Sequence, residues 1–117
     1  MYCHTEIIAE PKENWGTTHK SVGFAEQNVS RIGEPLSVVL YSPKVCPDKR
    51  FNWNLVRIIG EDAEMYLYGL NWGYGGEGPR GLLKVLKILG LNVNLSFVAK
   101  FEMDSPIPIE IDLNQEE

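Results

Sequence analysis

The sequence is short of the residues on which most recognisable small-protein chemistry depends. Its two cysteines, Cys3 and Cys46, are too few for a disulfide framework and read as free thiols of a reducing compartment. The only histidines are His4 and His19. No pair among Cys3, His4, Glu6, His19 and Cys46 has zinc-like spacing, so no metal is assigned. A Gly-x-Ser-x-Gly elbow is missing, and so is a glycine-rich loop ending in Gly-Lys-Ser/Thr. No stretch approaches the ~20 apolar residues of a membrane helix. Residues 1–6 lack the basic segment and apolar run of a signal peptide, so the expected compartment is the cytoplasm, with no membrane partner. Basic side chains are also scarce: 11 stand against 16 acidic ones, a net charge of −5. Phosphate neutralisation dominates duplex recognition, which makes duplex nucleic acid a poor candidate partner.

What is present describes an ordinary globular chain. Hydrophobic residues make up 44% and charged residues 23% of 117, which excludes a disordered chain and suits one small domain over residues 1–117. A chain of this length buries roughly two-thirds of its unfolded surface and needs no disulfide staple.

Periodicity gives the elements. Residues 5–9 read as a short strand stopped by Pro11, residues 12–23 as loop, and residues 25–32 as a short helix closed by Gly33. The β-branched run 36–41, bounded by Pro35 and Pro43, is a buried strand. Residues 51–59 and 63–70 flank Gly60-Glu61-Asp62 and form a hairpin, with Tyr66, Tyr68, Leu70 and Trp72 sharing one face. Residues 79–89 are the clearest helix, with Pro79 at its first position and Gly90 at its stop. Only Arg80, Lys84 and Lys87 form a polar stripe on it, so most of its circumference packs against a sheet. Residues 91–103 alternate apolar and polar, broken only by Val98, and read as a half-buried strand. Residues 107–113 repeat the alternation, and Pro108 puts that strand at an edge, where it can pair with a second copy in a homo-oligomer. The expected fold is α+β: an antiparallel or mixed five- to six-stranded sheet with one main helix packed on a face.

One segment calls for its own explanation. Trp72-Gly73-Tyr74-Gly75-Gly76-Glu77-Gly78-Pro79-Arg80-Gly81 holds five of the 11 glycines and joins a strand to the helix. Such a junction offers free N–H groups and the positive end of a macrodipole, a natural anion site. Arg80 in the first turn opposes that dipole unless a negative group is near, and Lys84 continues its face. Trp72 and Tyr74 can stack on a base or sugar, while Gly75, Gly76 and Gly78 let the backbone approach a ligand. The structural alternative is a tight turn beneath large aromatics, with Glu77 pairing to Arg80.

The same residues resemble a family of small bacterial and phage proteins without an assigned activity. Its recurring core reads Phe-x-Trp-Gly-Tyr-Gly-Gly-Ser-Gly-Pro-Ala, followed by an apolar helix and then a strand. Here Leu70 takes the aromatic position, Glu77 replaces the serine and Arg80 the small residue after proline. Val98-Ala99-Lys100-Phe101 is similar to that family's strand after the helix. The resemblance covers residues 55–112 and implies a setting, a prophage or mobile element, rather than a reaction.

Other candidates are weaker. Cys46, between Val45 and Pro47, has no adjacent residue that would activate it as a nucleophile. Glu61, Asp62 and Glu64 read as solvation of the hairpin turn. Lys44, Lys49, Arg50 and Arg57 surround Phe51 and Trp53, a pattern of single-strand binding that equally describes a solvated loop entering a strand. Three function classes follow. The first is a non-catalytic binding protein for a small anionic or nucleotide ligand, without a cofactor, at Trp72, Tyr74, Gly75, Gly76, Gly78, Arg80 and Lys84. The second is an interaction module for a host protein, such as an inhibitor of a defence complex. The third is a small hydrolase using His19 or an acidic residue that the sequence does not single out; no catalytic residue is assigned.

Overall fold

The computed structural model describes residues 6–46 and 54–113. They form an α+β fold: one mixed five-stranded sheet with helices gathered on one face. The strands are β1 (Ile7–Ala9), β2 (Pro35–Tyr41), β3 (Leu55–Gly60), β4 (Glu64–Leu67) and β5 (Ile109–Asp112), in spatial order β1-β4-β3-β2-β5. Only the β1–β4 pair is parallel. The hairpin of β3 and β4 turns at Glu61-Asp62, as the glycine-containing spacer predicts, although residues 51–53 of its expected first arm lie outside the described residues.

Strand register explains why one face of the sheet carries the main core. Ile8, Met65, Ile58, Val38 and Ile111 pair in turn across all five strands, and Leu67, Val56, Leu40 and Ile109 make a second row. Period-two alternation places these side chains on one side. There they meet Leu82, Val85 and Leu86 of α2 (Glu77–Ile88) and Leu89, which caps it. Each fully buried aliphatic side chain contributes roughly 1.5–3 kcal/mol relative to exposure. Arg80, Lys84 and Lys87 are exposed on the far side of the helix, as the sequence predicts.

Four expectations are corrected. Residues 18–23 are not loop but the first turns of α1 (Thr18–Asn28), and a 3-10 turn, Val29–Ile32, follows it. The helix has few apolar residues and Gly23 within it, so its local signal is weak. It forms because Ala25 and its partly buried neighbours Val22 and Phe24 join the same core as α2. Helix α2 itself begins at Glu77, two residues before Pro79. The third residue of a helix has no intrahelical N–H partner to lose, so proline fits there too.

The larger correction concerns residues 91–103, which are not a strand. Leu95–Ala99 is a short helix, α3, with extended and turn residues on either side. Val98, the residue that broke the alternation, is the buried one. Phe97 and Phe101, four apart, meet edge to face at 5.2 Å between centroids, a spacing that belongs to a helical turn. The shared face expected for Tyr66, Tyr68, Leu70 and Trp72 also ends at Gly69. Tyr66 and Tyr68 stay with the cluster around Leu55, while Leu70 and Trp72 enter the helix-side core.

Candidate functional site

The chain between β4 and α2 is anchored before it reaches the glycines. Leu70 and Trp72 are buried, and the Trp72 indole donates to the Glu102 carbonyl at 3.1 Å. Trp72 is thus a core residue, and its ring has no open face for a ligand. Gly73 then takes φ +95°, and a Cβ there would overlap Met103, so glycine is required on both counts. Tyr74 emerges with 43% of its surface exposed and lies against Gly76. Gly75 is exposed, Gly76 precedes the first helical residue and Gly78 is buried within the first turn.

Beyond the glycines, two helices start side by side. Gly81 of α2 faces Thr18 and Val22 of α1. Thr18 Oγ donates to the Gly69 carbonyl at 2.7 Å, which ties the start of α1 to the β4–α2 connection. Thr18, His19, Gly76, Glu77, Arg80 and Lys84 all line one cavity of about 360 Å³. The first turns of both helices therefore open onto the same space, and neither has a side-chain cap. Arg80 folds back so that Nε donates to the Gly75 carbonyl at 3.1 Å. Among the described residues no ion pair joins it to Glu77, so that proposed remedy for its unfavourable dipole position does not operate.

A second cavity of about 270 Å³ lies on the other side of Thr18 and Glu77, which line both. Its wall includes Asn54, Asn71 and Tyr74. The Asn71 carboxamide sits directly over Gly78, where any Cβ would collide with it. Sequence reading passed over Thr18, Asn54 and Asn71. The only local signal for Asn71 was a polar residue between two buried ones, Leu70 and Trp72.

Elsewhere, the open face of the sheet carries a corrected assignment. Glu64 is not turn solvation: it is buried and takes a two-pronged ion pair from Arg57, with Nε and Nη2 at 2.9 and 3.0 Å. Arg57 also donates to the Tyr41 hydroxyl at 3.2 Å. The hydrogen bond to Glu64 holds the Arg57 guanidinium firmly protonated. Burial raises the Tyr66 hydroxyl above its ordinary 10.0, more than the neighbouring Arg57 lowers it. Cys46 is buried beside Leu55 and Tyr68. Of the basic residues expected to surround Phe51 and Trp53, Lys49 and Arg50 lie outside the described residues, as do both aromatics. Among the described residues no helix is long and apolar enough to cross a membrane.

Comparison with protein-family models, with curated proteins and with solved structures returns no match to this chain.

Proposed function

We propose that the chain is a non-catalytic binding protein that takes a small anionic ligand of the nucleotide class at the junction between β4 and α2. One observation carries this reading. In a chain of net charge −5, two uncapped helix starts share a cavity with His19, Arg80 and Lys84. First-turn N–H groups and the positive macrodipole end attract an anion. A cation in the first turn, as Arg80 is, is unfavourable by roughly 0.3–1 kcal/mol, a cost that a phosphate beside it reverses. Arg80 keeps both terminal nitrogens for such a ligand, since only Nε is engaged by Gly75. The Glu77 carboxylate repels a phosphate from its own side of the cavity and towards the basic side chains. The resemblance to phage proteins supplies a setting: a mobile-element protein that sequesters a signalling nucleotide in a host cytoplasm.

Calorimetric titration and thermal unfolding with pyrophosphate and AMP test the reading. A ligand that binds only the native state adds about 2.7 kcal/mol at a hundred times its Kd, so the melting temperature rises by several degrees. Combined Arg80→Ala and Lys84→Ala substitution should weaken pyrophosphate at least about tenfold. A melting temperature indifferent to both anions sinks the proposal.

One further observation favours a second reading, a host-protein interaction module. Tyr74 and Met103, 43% and 44% exposed, flank Gly73, and Ile107 is 67% exposed four residues beyond Met103. Capture of a specific host protein, lost in Tyr74→Ser/Met103→Ser and indifferent to anions, would support it in place of the first.

A further inference from the structure

We infer that the smaller cavity takes the base of the nucleotide, through the carboxamides of Asn54 and Asn71. This rests on the anion reading of the neighbouring cavity and extends it to the uncharged half of the ligand. Native proteins leave very few buried polar side-chain atoms without a hydrogen-bond partner. The described residues hold two, Asn54 Nδ2 and Asn71 Oδ1, and both residues line this one cavity. One is a donor and the other an acceptor. Neither carboxamide has a hydrogen bond to break, and the terminal torsion of asparagine is broad, so presenting each to the cavity gives up no existing bond.

A nucleobase supplies the complement. Every base presents an acceptor and a donor side by side on one edge, as in the lactam of guanine and uracil or the ring nitrogen and amino group of adenine and cytosine. Asparagine is well suited to such edges. The Tyr74 ring, on the same wall, offers a face for stacking. The order of groups also follows that of a nucleoside 5′-phosphate. Asn54 and Asn71 face the base, Arg80 and Lys84 the phosphate, and Glu77, which lines both cavities, stands where the ribose hydroxyls can donate to it. A water molecule bridging the two amides is the competing occupant.

The test compares AMP, GMP, UMP and CMP with ribose 5-phosphate by calorimetric titration of the full chain. The base adds its own contacts, so at least one nucleotide should bind about tenfold or more tighter than ribose 5-phosphate. Asn71→Ala should bring that ratio below about threefold, and Asn54→Ala should do the same independently if the first variant folds poorly. If all four nucleotides bind no tighter than ribose 5-phosphate, or the ratio survives both substitutions, the base inference is overturned while the anion site stands. If ribose 5-phosphate and the nucleotides all fail to bind, the anion reading is wrong and this inference falls with it.

Discussion

Glu10 shows how much a single side chain can be asked to hold. Its buried carboxylate accepts from Ser21 Oγ at 2.8 and 2.9 Å and from the Tyr68 backbone N–H at 2.9 Å. Its own N–H donates to the Tyr66 carbonyl at 3.0 Å, and its carbonyl accepts from the Trp15 indole at 3.2 Å. One residue thus joins the end of β1, helix α1 and the chain leaving β4. Removing the carboxylate leaves buried donors without it, so Glu10→Ala should cost about 3 kcal/mol in urea unfolding. Ser21→Ala, which removes one donor, should cost about 1 kcal/mol. A loss within about 0.5 kcal/mol for Glu10→Ala, the value of a surface site, would contradict this role. Nothing in Ala9-Glu10-Pro11 separates Glu10 from a solvated turn residue; its partners lie up to 58 positions away.

At the scale of elements, α3 shows why alternation misled. Leu95, Phe97, Ala99 and Phe101 satisfy a two-residue period, yet Leu95–Ala99 is helical and Val98 is fully buried. Over five residues, a two-residue and a 3.6-residue period share most positions, so pattern alone cannot choose between them. The neighbouring core decides, because Val98 belongs to the core that the strands and α2 share. Val98→Ala should therefore cost about 2 kcal/mol. In the strand alternative Val98 faces solvent, and the same change would lie within about 0.5 kcal/mol. Edge strand β5 follows the sequence in position: it pairs with β2 alone among the described strands, but it spans Ile109–Asp112 rather than 107–113, so Pro108 stands just before the ladder.

The whole molecule carries its asymmetry in the sheet. The helix-side face is a continuous apolar row through all five strands, whereas the opposite face places Tyr66, Arg57, Val39 and Glu110 in register. Titration of that face acts on global stability. Tyr66 has a raised pKa in the fold, so the native state holds its proton more tightly than the unfolded chain does. The resulting stabilisation is fully present below pH 10 and is lost as pH rises through the folded value. Urea midpoints should fall as pH rises above 10, and Tyr66→Phe should flatten that fall. A fall of equal steepness in the variant would assign it to other groups.

By itself the sequence determined the α+β class, the β3–β4 hairpin, the buried strand β2, the edge strand β5 and the exposed stripe of α2. Each depends on local periodicity or on turn chemistry, which are written in neighbouring residues. It also singled out the glycine-rich junction, because glycine density and a first-turn arginine are visible without coordinates. Only the tertiary structure decided that α1 and α3 are helices, that Trp72 is core and that Glu64 is paired with Arg57. It alone set the start of α1 beside that of α2 and brought Asn54 to the same cavity as Asn71. These outcomes depend on which distant surfaces meet, and burial and hydrogen bonding between segments far apart in the chain then override weak or ambiguous local preference.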